Sequence, residues 1–183
     1  MMAERPARQL AFDLAHAESF HRDDFFVGPA NEEAFALVTR WPDWGSPVAA
    51  LVGPPGSGKS HLAAIWAEEA GARFIAGRAL ERADLPAALA TGALVVEDLA
   101  AGAFDERALF HLFNLAREQG GFLLLTAADA PSLTAALPDL ASRLRTVPVL
   151  RIGAPDDALL RAVMLKQFAD RQLQVDGPLL TFL

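Results

Sequence analysis

The sequence predicts a three-layer α/β domain built on a mostly parallel sheet of five strands. Short apolar segments of strand length alternate with helical segments, at residues 48–52, 73–76, 93–96, 121–126 and 147–152. A glycine-rich loop at residues 53–60 directly follows the first segment, and two carboxylates, Glu97 and Asp98, directly follow the third. Because ligand loops of open α/β sheets gather at the carboxyl ends of the strands, we expect both features at one sheet edge.

Composition narrows the class of protein. The chain has 183 residues, 52% of them hydrophobic, a net charge of −7 and no cysteine. This length suits one domain of ordinary size, with room for an appendage. The lack of cysteine excludes disulfides and thiolate metal sites and favours a reducing, cytoplasmic location. The acidic balance argues against strong DNA binding, and no apolar run approaches the ~18 residues of a membrane span.

Residues 53–60 read Gly-Pro-Pro-Gly-Ser-Gly-Lys-Ser and fit the phosphate-binding loop pattern. An apolar strand precedes them, and apolar residues at helical spacing follow, with Gly71 as a C-cap. Lys59 can reach terminal phosphates, and the Ser60 hydroxyl can join the shell of a Mg²⁺ ion. An accidental glycine-rich turn of this pattern is about a one-in-a-hundred event. The predicted contacts to ADP or ATP are Pro55, Gly56, Ser57, Gly58, Lys59, Ser60 and His61.

An acid pair ends the third predicted strand, where residues 93–96 run directly into Glu97 and Asp98. A phosphate-loop enzyme needs acid beside its loop, to hold Mg²⁺ and to face an attacking water. Acid pairs at strand ends are common by chance, but this pair follows a phosphate loop by one α/β unit. We predict Glu97 and Ser60 as metal ligands and Asp98 and Thr126 as catalytic residues, with Thr126 ending the fourth strand at the same edge.

Helix-capping residues and prolines predict the bounds of the remaining helices. Asn31 is a predicted N-cap for a helix ahead of the first strand. Trp41 and Trp44 are predicted to pack over a strand edge. Asp105 and Gly120 bound an amphipathic helix. Further helical segments, two of them interrupted by proline, are expected at residues 80–90, 131–145 and 155–168.

The two ends of the chain carry separate features. At residues 9–14, apolar side chains alternate along an extended chain. This pattern favours a short edge strand or a piece of ordered tail. It also fits a linear motif that docks into a groove of a partner protein. Residues 177–178 open a helix, but only five residues follow, too few for a stable isolated helix. We therefore expect the front portion of a longer protein, or a covered end.

Taken together, these residues resemble the AAA+ ATPases, and among them the DnaA-related regulatory inactivator (Hda) family, over nearly the whole chain. Residues 25–31 resemble the segment that lies over the adenine, which implies contacts from Phe26 and Val27. Residues 53–60 are similar to the Walker A loop and residues 95–98 to Walker B, although Glu97 stands where aspartate is usual. Thr126 falls at the end of the sensor 1 strand. The resemblance implies the strand order 5-1-4-3-2.

Two further segments resemble functional motifs of that family. Residues 137–144 resemble the box that carries an arginine finger, which implies this role for Arg143. By position alone, Arg143 could equally be a solvated cation opposing the helix dipole beside Arg145. Residues 9–14 resemble a hexapeptide that binds the DNA polymerase sliding clamp. The clamp contacts that this implies are Gln9, Leu10, Phe12 and Leu14.

The resemblance implies a tail at residues 1–24, a nucleotide-binding domain at 25–153, and the start of a helical lid at 154–183 that is incomplete. The second-sensor arginine is expected beyond the last residue. The implied function is a regulator that sits on the clamp and makes DnaA hydrolyse its ATP, with weak or no ATPase of its own. A homodimer is compatible with this. A self-sufficient ATPase or loader accessory protein stays open, and so does a small-molecule kinase, although no arginine-rich lid is evident.

Overall fold

A single parallel sheet organises the computed structural model, which describes residues 20–170. Its order is β2-β3-β4-β1-β5, and every pairing is parallel. Read from the other edge, this is the expected order 5-1-4-3-2, which is thereby confirmed. Its strands are β1 Val48–Val52, β2 Arg73–Ala76, β3 Ala93–Leu99, β4 Phe122–Ala127 and β5 Val149–Arg151. The predicted features at residues 9–14 and 177–178 lie outside the described residues.

Six α-helices connect or flank these strands within residues 20–170. They are α1 Glu32–Val38, α2 Lys59–Ala70, α3 Leu85–Ala88, α4 Glu106–Gln119, α5 Pro138–Leu144 and α6 Asp157–Asp170. Short 3-10 turns precede α3 and α5, at Gly77–Arg82 and Pro131–Leu133, so the two proline-interrupted segments are broken as expected. None of the helices in the described part of the chain is long and apolar enough to cross a membrane.

The sheet buries a separate core on each face, which confirms the three layers. One core joins alternate strand residues to α4 and α5, including Leu112 and Leu140. The other joins the intervening strand residues to α1 and α2, including Leu62 and Trp66. β1 contributes to both cores and is buried along its whole length. Burying each large apolar side chain contributes about 1.5–3 kcal/mol, so both helical layers are held firmly to the sheet.

The two tryptophans pack in the core as predicted, but against α2 and the start of the interior strand β4 and not over a strand edge. The ring of Trp44 lies 5.1 Å from that of Trp66, and Trp41 packs edge-on against both Trp66 and Phe122. The Trp44 indole also donates a hydrogen bond of 2.9 Å to the Leu37 carbonyl. These side chains tie the chain ahead of β1 to α2 and to the start of β4.

Helix caps agree with prediction at three positions and differ at a fourth. The Asp105 carboxylate accepts the Ala108 N–H of α4, and Gly71 and Gly120 end α2 and α4 in the left-handed conformation. Asn31 precedes α1, but the prediction that its side chain caps this helix is wrong. Its amide turns back to accept the Gly28 N–H and to donate to the Phe26 carbonyl, and so fixes the loop before the helix.

Candidate nucleotide-binding site

The glycine-rich loop lies between the end of β1 and the start of α2. Gly56 and Gly58 have φ angles of 75° and 95°, in the left-handed region that favours glycine, and α2 begins at Lys59. Backbone of this kind leading into a helix N-terminus turns successive N–H groups toward an anion, and the helix dipole adds partial positive charge. The local structure is that of a phosphate cradle.

Gly53, the first residue of the loop, packs against the end of β5. A Cβ atom placed there would overlap the carbonyl oxygen of Ile152 and lie 2.8 Å from the Ser57 Oγ. The Gly53 N–H donates to the Ala127 carbonyl at the end of β4. The loop is thus anchored to both strands that flank β1, and no side chain fits at its first position.

Gly53→Ala should therefore lower the free energy of unfolding by about 2 kcal/mol, since backbone rather than a flexible side chain must move to admit the methyl group. Gly28→Ala is the matched control, because Gly28 has no positive φ and an added Cβ would meet nothing within 4 Å. That variant should stay within about 0.5 kcal/mol of the parent in urea denaturation. Equal stability of the two variants would contradict this account of the loop.

Lys59 folds back over the loop that it follows. Its ammonium donates hydrogen bonds of 2.7 Å and 2.9 Å to the carbonyls of Gly53 and Pro54. Burial lowers the pKa of this ammonium below its ordinary value, and the charge of Asp98 opposes that shift. Because these acceptors are neutral carbonyls, phosphate oxygens placed in the loop would be stronger partners for the same donor.

The two predicted metal ligands meet beside the loop. Ser60, in the first turn of α2, lies beside Glu97 of β3. Burial raises the pKa of Glu97, the charge of Asp98 raises it further, and the nearby Ser60 hydroxyl lowers it. A Mg²⁺ ion binds through one or two protein oxygens together with substrate phosphates, so Ser60 and Glu97 could hold it only with a nucleotide present. Within residues 20–170, no group of three or more histidines or carboxylates forms a metal site by itself.

Asp98 and Thr126 are joined at the same sheet edge. β3 continues through the acid pair to Leu99, so Glu97 and Asp98 lie at its carboxyl end as predicted, with an irregular register against β4 between Val96 and Leu99. At this irregularity Asp98 has a φ of 56°, and its N–H donates a 3.0 Å hydrogen bond to the Thr126 hydroxyl. The hydroxyl proton of Thr126 is left to donate elsewhere.

A segment ahead of α1, residues 20–25, packs against the loop through its aromatic side chains. The Phe25 ring lies 3.4 Å from where a Cβ on Gly58 would stand, and it stacks on Phe35 and meets the His61 ring edge-on. His61 also packs against Phe20 and hydrogen-bonds the His21 carbonyl, so its described contacts are with this segment. Sequence reasoning named Phe26 and Val27, which are 36% and 50% exposed, and missed Phe25. The Phe-Phe pair was visible, but only packing shows which ring faces the loop.

The buried hydroxyl oxygen of Ser57 indicates whether this site fits a phosphate ligand. The Ser57 hydroxyl in the loop is buried and makes no hydrogen bond within the described residues. Leaving such a group unpaired costs about 1–3 kcal/mol. A phosphate group or its hydration could satisfy it. Together with the left-handed glycines and Lys59, this makes the loop a good fit for the phosphates of a nucleotide.

Arg143 lies apart from this group, on α5. Its guanidinium sits over the ring of Phe110 on α4, 4.6 Å from the centroid. None of its contacts described within residues 20–170 reaches the loop or the acid pair. The structure therefore brings together five of the predicted residues, namely Lys59, Ser60, Glu97, Asp98 and Thr126, and leaves Arg143 on a separate surface.

Comparisons with known proteins support the fold. No protein-family model and no curated protein matches this chain. Domain III of DnaA from Thermotoga maritima aligns with a TM-score of 0.68 and 20% identity, over 91% of this chain and 80% of that one. AMPPCP-bound DnaA from Aquifex aeolicus aligns with a TM-score of 0.66 and 21% identity, over 91% of this chain and 59% of that one. The fold is that of the AAA+ P-loop ATPases.

Two further solved structures share this architecture. A RuvB variant from Thermotoga maritima aligns with a TM-score of 0.61 and 20% identity over 82% of this chain and 54% of that one. A DnaA chain bound to AMPPCP and single-stranded DNA aligns with a TM-score of 0.67. This chain spans only 57% of that DnaA chain. At these identities the likeness is one of fold.

Proposed function

We propose that this AAA+ protein is a nucleotide-binding regulator of chromosome replication initiation. It docks on the DNA polymerase sliding clamp through residues 9–14 and stimulates ATP hydrolysis by DnaA with an arginine supplied in trans. The observation that carries the proposal is the separation of two parts. A complete phosphate cradle lies at one sheet edge, whereas Arg143 lies on α5 against Phe110, with no contact to the cradle among those described.

The cradle would hold ADP or ATP with Mg²⁺. The loop amides and Lys59 would bind the phosphates, and Ser60 with Glu97 would hold the ion. Two of the DnaA chains to which this fold is similar were solved with AMPPCP, which supports a nucleotide of the same class here. When bound, the nucleotide supplies phosphate charge that completes the environment of Lys59 and Ser57.

Retention rather than turnover of this nucleotide follows from the acid pair. Glu97 lies beside Ser60 and has a raised pKa, whereas Asp98 is exposed and has a left-handed backbone conformation, with its N–H bonded to the Thr126 hydroxyl. Among the contacts described within residues 20–170, no hydrogen bond from a further side chain fixes either carboxylate toward an attacking water. We propose that the bound nucleotide mainly stabilises the fold and that hydrolysis takes place on the partner.

A guanidinium assists phosphoryl transfer by neutralising the charge that builds up on the γ-phosphate oxygens. We propose that Arg143 does this for a nucleotide that approaches α5 from outside the chain. Half-buried and held over Phe110, its side chain is ordered before a partner arrives, which reduces the entropy lost on docking.

A self-sufficient ATPase or loader accessory protein is the second candidate. The observation in its favour is that Lys59, Asp98 and Thr126 lie at one sheet edge, linked by the Asp98–Thr126 hydrogen bond and by the charge of Asp98 on Lys59. Multiple-turnover hydrolysis by the isolated protein, unaffected by DnaA, would favour this candidate.

The proposed docking is tested with Leu10→Ala/Phe12→Ala, because buried apolar anchors carry most of the affinity of short motifs. We expect this double variant to lose clamp binding by at least about 10-fold, and with it the stimulation of DnaA-bound ATP hydrolysis on clamp-loaded DNA. Its affinity for ADP should match that of the parent. Undiminished clamp binding in a pull-down would remove residues 9–14 as the tether.

A further inference from the structure

One face of α4 holds α5 at two points. Glu106 lies in the first turn of α4, and Phe110 lies four residues later, so the two side chains share a helix face. Glu106 contacts the chain just ahead of α5, and Phe110 contacts Arg143 in the last turn of α5. The helix that carries the proposed finger is thus fixed near both of its ends.

The contact at the start of α5 is made by both oxygens of one carboxylate. Glu106 Oε1 accepts the Ala136 N–H at 2.8 Å, and Oε2 accepts the Leu137 N–H at 2.7 Å. The next residue, Pro138, has no N–H, and Leu137 offers no side-chain cap. Glu106 therefore serves as the cap of α5 from a different helix. Hydrogen bonds to a charged acceptor of this kind are about twice as strong as neutral ones.

The position of Arg143 depends on this contact because α5 is short. Its seven residues span about 10 Å, so a small tilt at the start displaces the side chain at the other end by about 1 Å. The contact of Arg143 with Phe110 is a single, partly exposed cation–π pair and is weaker than the paired hydrogen bonds of Glu106.

We propose that Glu106 is a positioning residue for Arg143, directing the guanidinium through the paired hydrogen bonds that fix the start of α5. The proposal rests on the proposed function, in which Arg143 acts on ATP bound to DnaA. Glu106 touches neither nucleotide; it acts only through the orientation of α5. A misplacement of about 1 Å in a reacting group can cost about 100-fold in rate.

The test is Glu106→Gln, which keeps the shape of the side chain but turns one acceptor into a donor facing an N–H. We expect the maximal rate of DnaA-bound ATP hydrolysis to fall about 10- to 100-fold, with an unchanged protein concentration at half-maximal stimulation. Glu106→Asp keeps the charge but is shorter by one methylene, so its rate should lie in between. Glu118→Gln, on the exposed end of α4, is the matched control and should behave as the parent.

A double variant separates positioning from a general structural defect. In an Arg143→Ala background, Glu106→Gln should cause no further loss, because there is no guanidinium left to misplace. Additive losses, or a raised concentration at half-maximal stimulation, would overturn the proposal. The proposal would also be overturned if Glu106→Gln and Glu106→Asp both stimulated hydrolysis of DnaA-bound ATP fully while Arg143→Ala did not. If Glu106→Gln does not fold, the Asp variant decides the matter. Full stimulation by Arg143→Ala would instead overturn the proposed function.

Discussion

Arg143→Ala should remove the stimulation of DnaA-bound ATP hydrolysis and leave the protein folded and able to bind ADP. A guanidinium supplied in trans is worth roughly 10³ to 10⁵ in rate, so we expect a loss within this range. The folded state should survive because the contact with Phe110 is a partly exposed cation–π pair, worth about 0.5–1 kcal/mol. The measurement is conversion of DnaA-bound ATP to ADP on clamp-loaded DNA.

Two further variants sharpen this result. Arg143→Lys should also fail largely, because an ammonium lacks the planar fork that engages two oxygens. Arg145→Ala is the matched control, since Arg145 is an exposed cation just past the end of the same helix. It should stimulate hydrolysis as well as the parent does. Full activity of the Arg143→Ala protein would remove this residue from the mechanism.

Lys59→Ala should weaken the binding of ADP with Mg²⁺ by about 100-fold or more. Hydrogen bonds between charged groups contribute about 1.5–3 kcal/mol each, and this ammonium can offer two of them to phosphate oxygens. Its present bonds to Gly53 and Pro54 place it directly over the loop. Lys166→Ala is the matched control, because this other lysine of the chain lies on α6, outside the loop, and is paired with Asp24.

Thermal denaturation gives an independent measure of the same loss. A ligand at 100 times its dissociation constant stabilises a protein by about 2.7 kcal/mol, so ADP should raise the melting temperature of the parent and of Lys166→Ala. It should leave Lys59→Ala almost unchanged. Calorimetry that gives the same affinity for Lys59→Ala and the parent would contradict the assignment of Lys59 to the phosphates.

Short-range patterns were sufficient for most of the fold. The apolar run of β1, the loop that follows it and the left-handed glycines that end α2 and α4 all depend on neighbours within a few residues. The amphipathic period of α4 likewise indicated the face that packs on the sheet. The strand order was different, since it came from the family resemblance and was then confirmed by the pairing of the strands.

Local pattern did not predict the backbone conformation of Asp98 or the hydrogen bonds of the Asn31 side chain. The apolar run at residues 93–96 indicated a strand with the acid pair at its end, but not the irregular register against β4, where the Thr126 hydroxyl, 28 residues away, accepts the N–H of Asp98. Asn31 has the sequence of a cap, but its amide is taken by the preceding loop. At Asn31, hydrogen bonds to residues three and five positions earlier take the place of a capping bond worth about 1 kcal/mol.

The sequence by itself determined that this protein has a phosphate loop between a strand and a helix, with an acid pair and Thr126 at the same sheet edge. Only the tertiary structure decided that Phe25 is the ring against the loop, that Arg143 rests on Phe110, and that Glu106 caps a helix that starts about 30 residues later. The reason is physical. Glycine conformation and helix capping act within a few residues, whereas contacts between distant segments form only when the sheet brings its layers together.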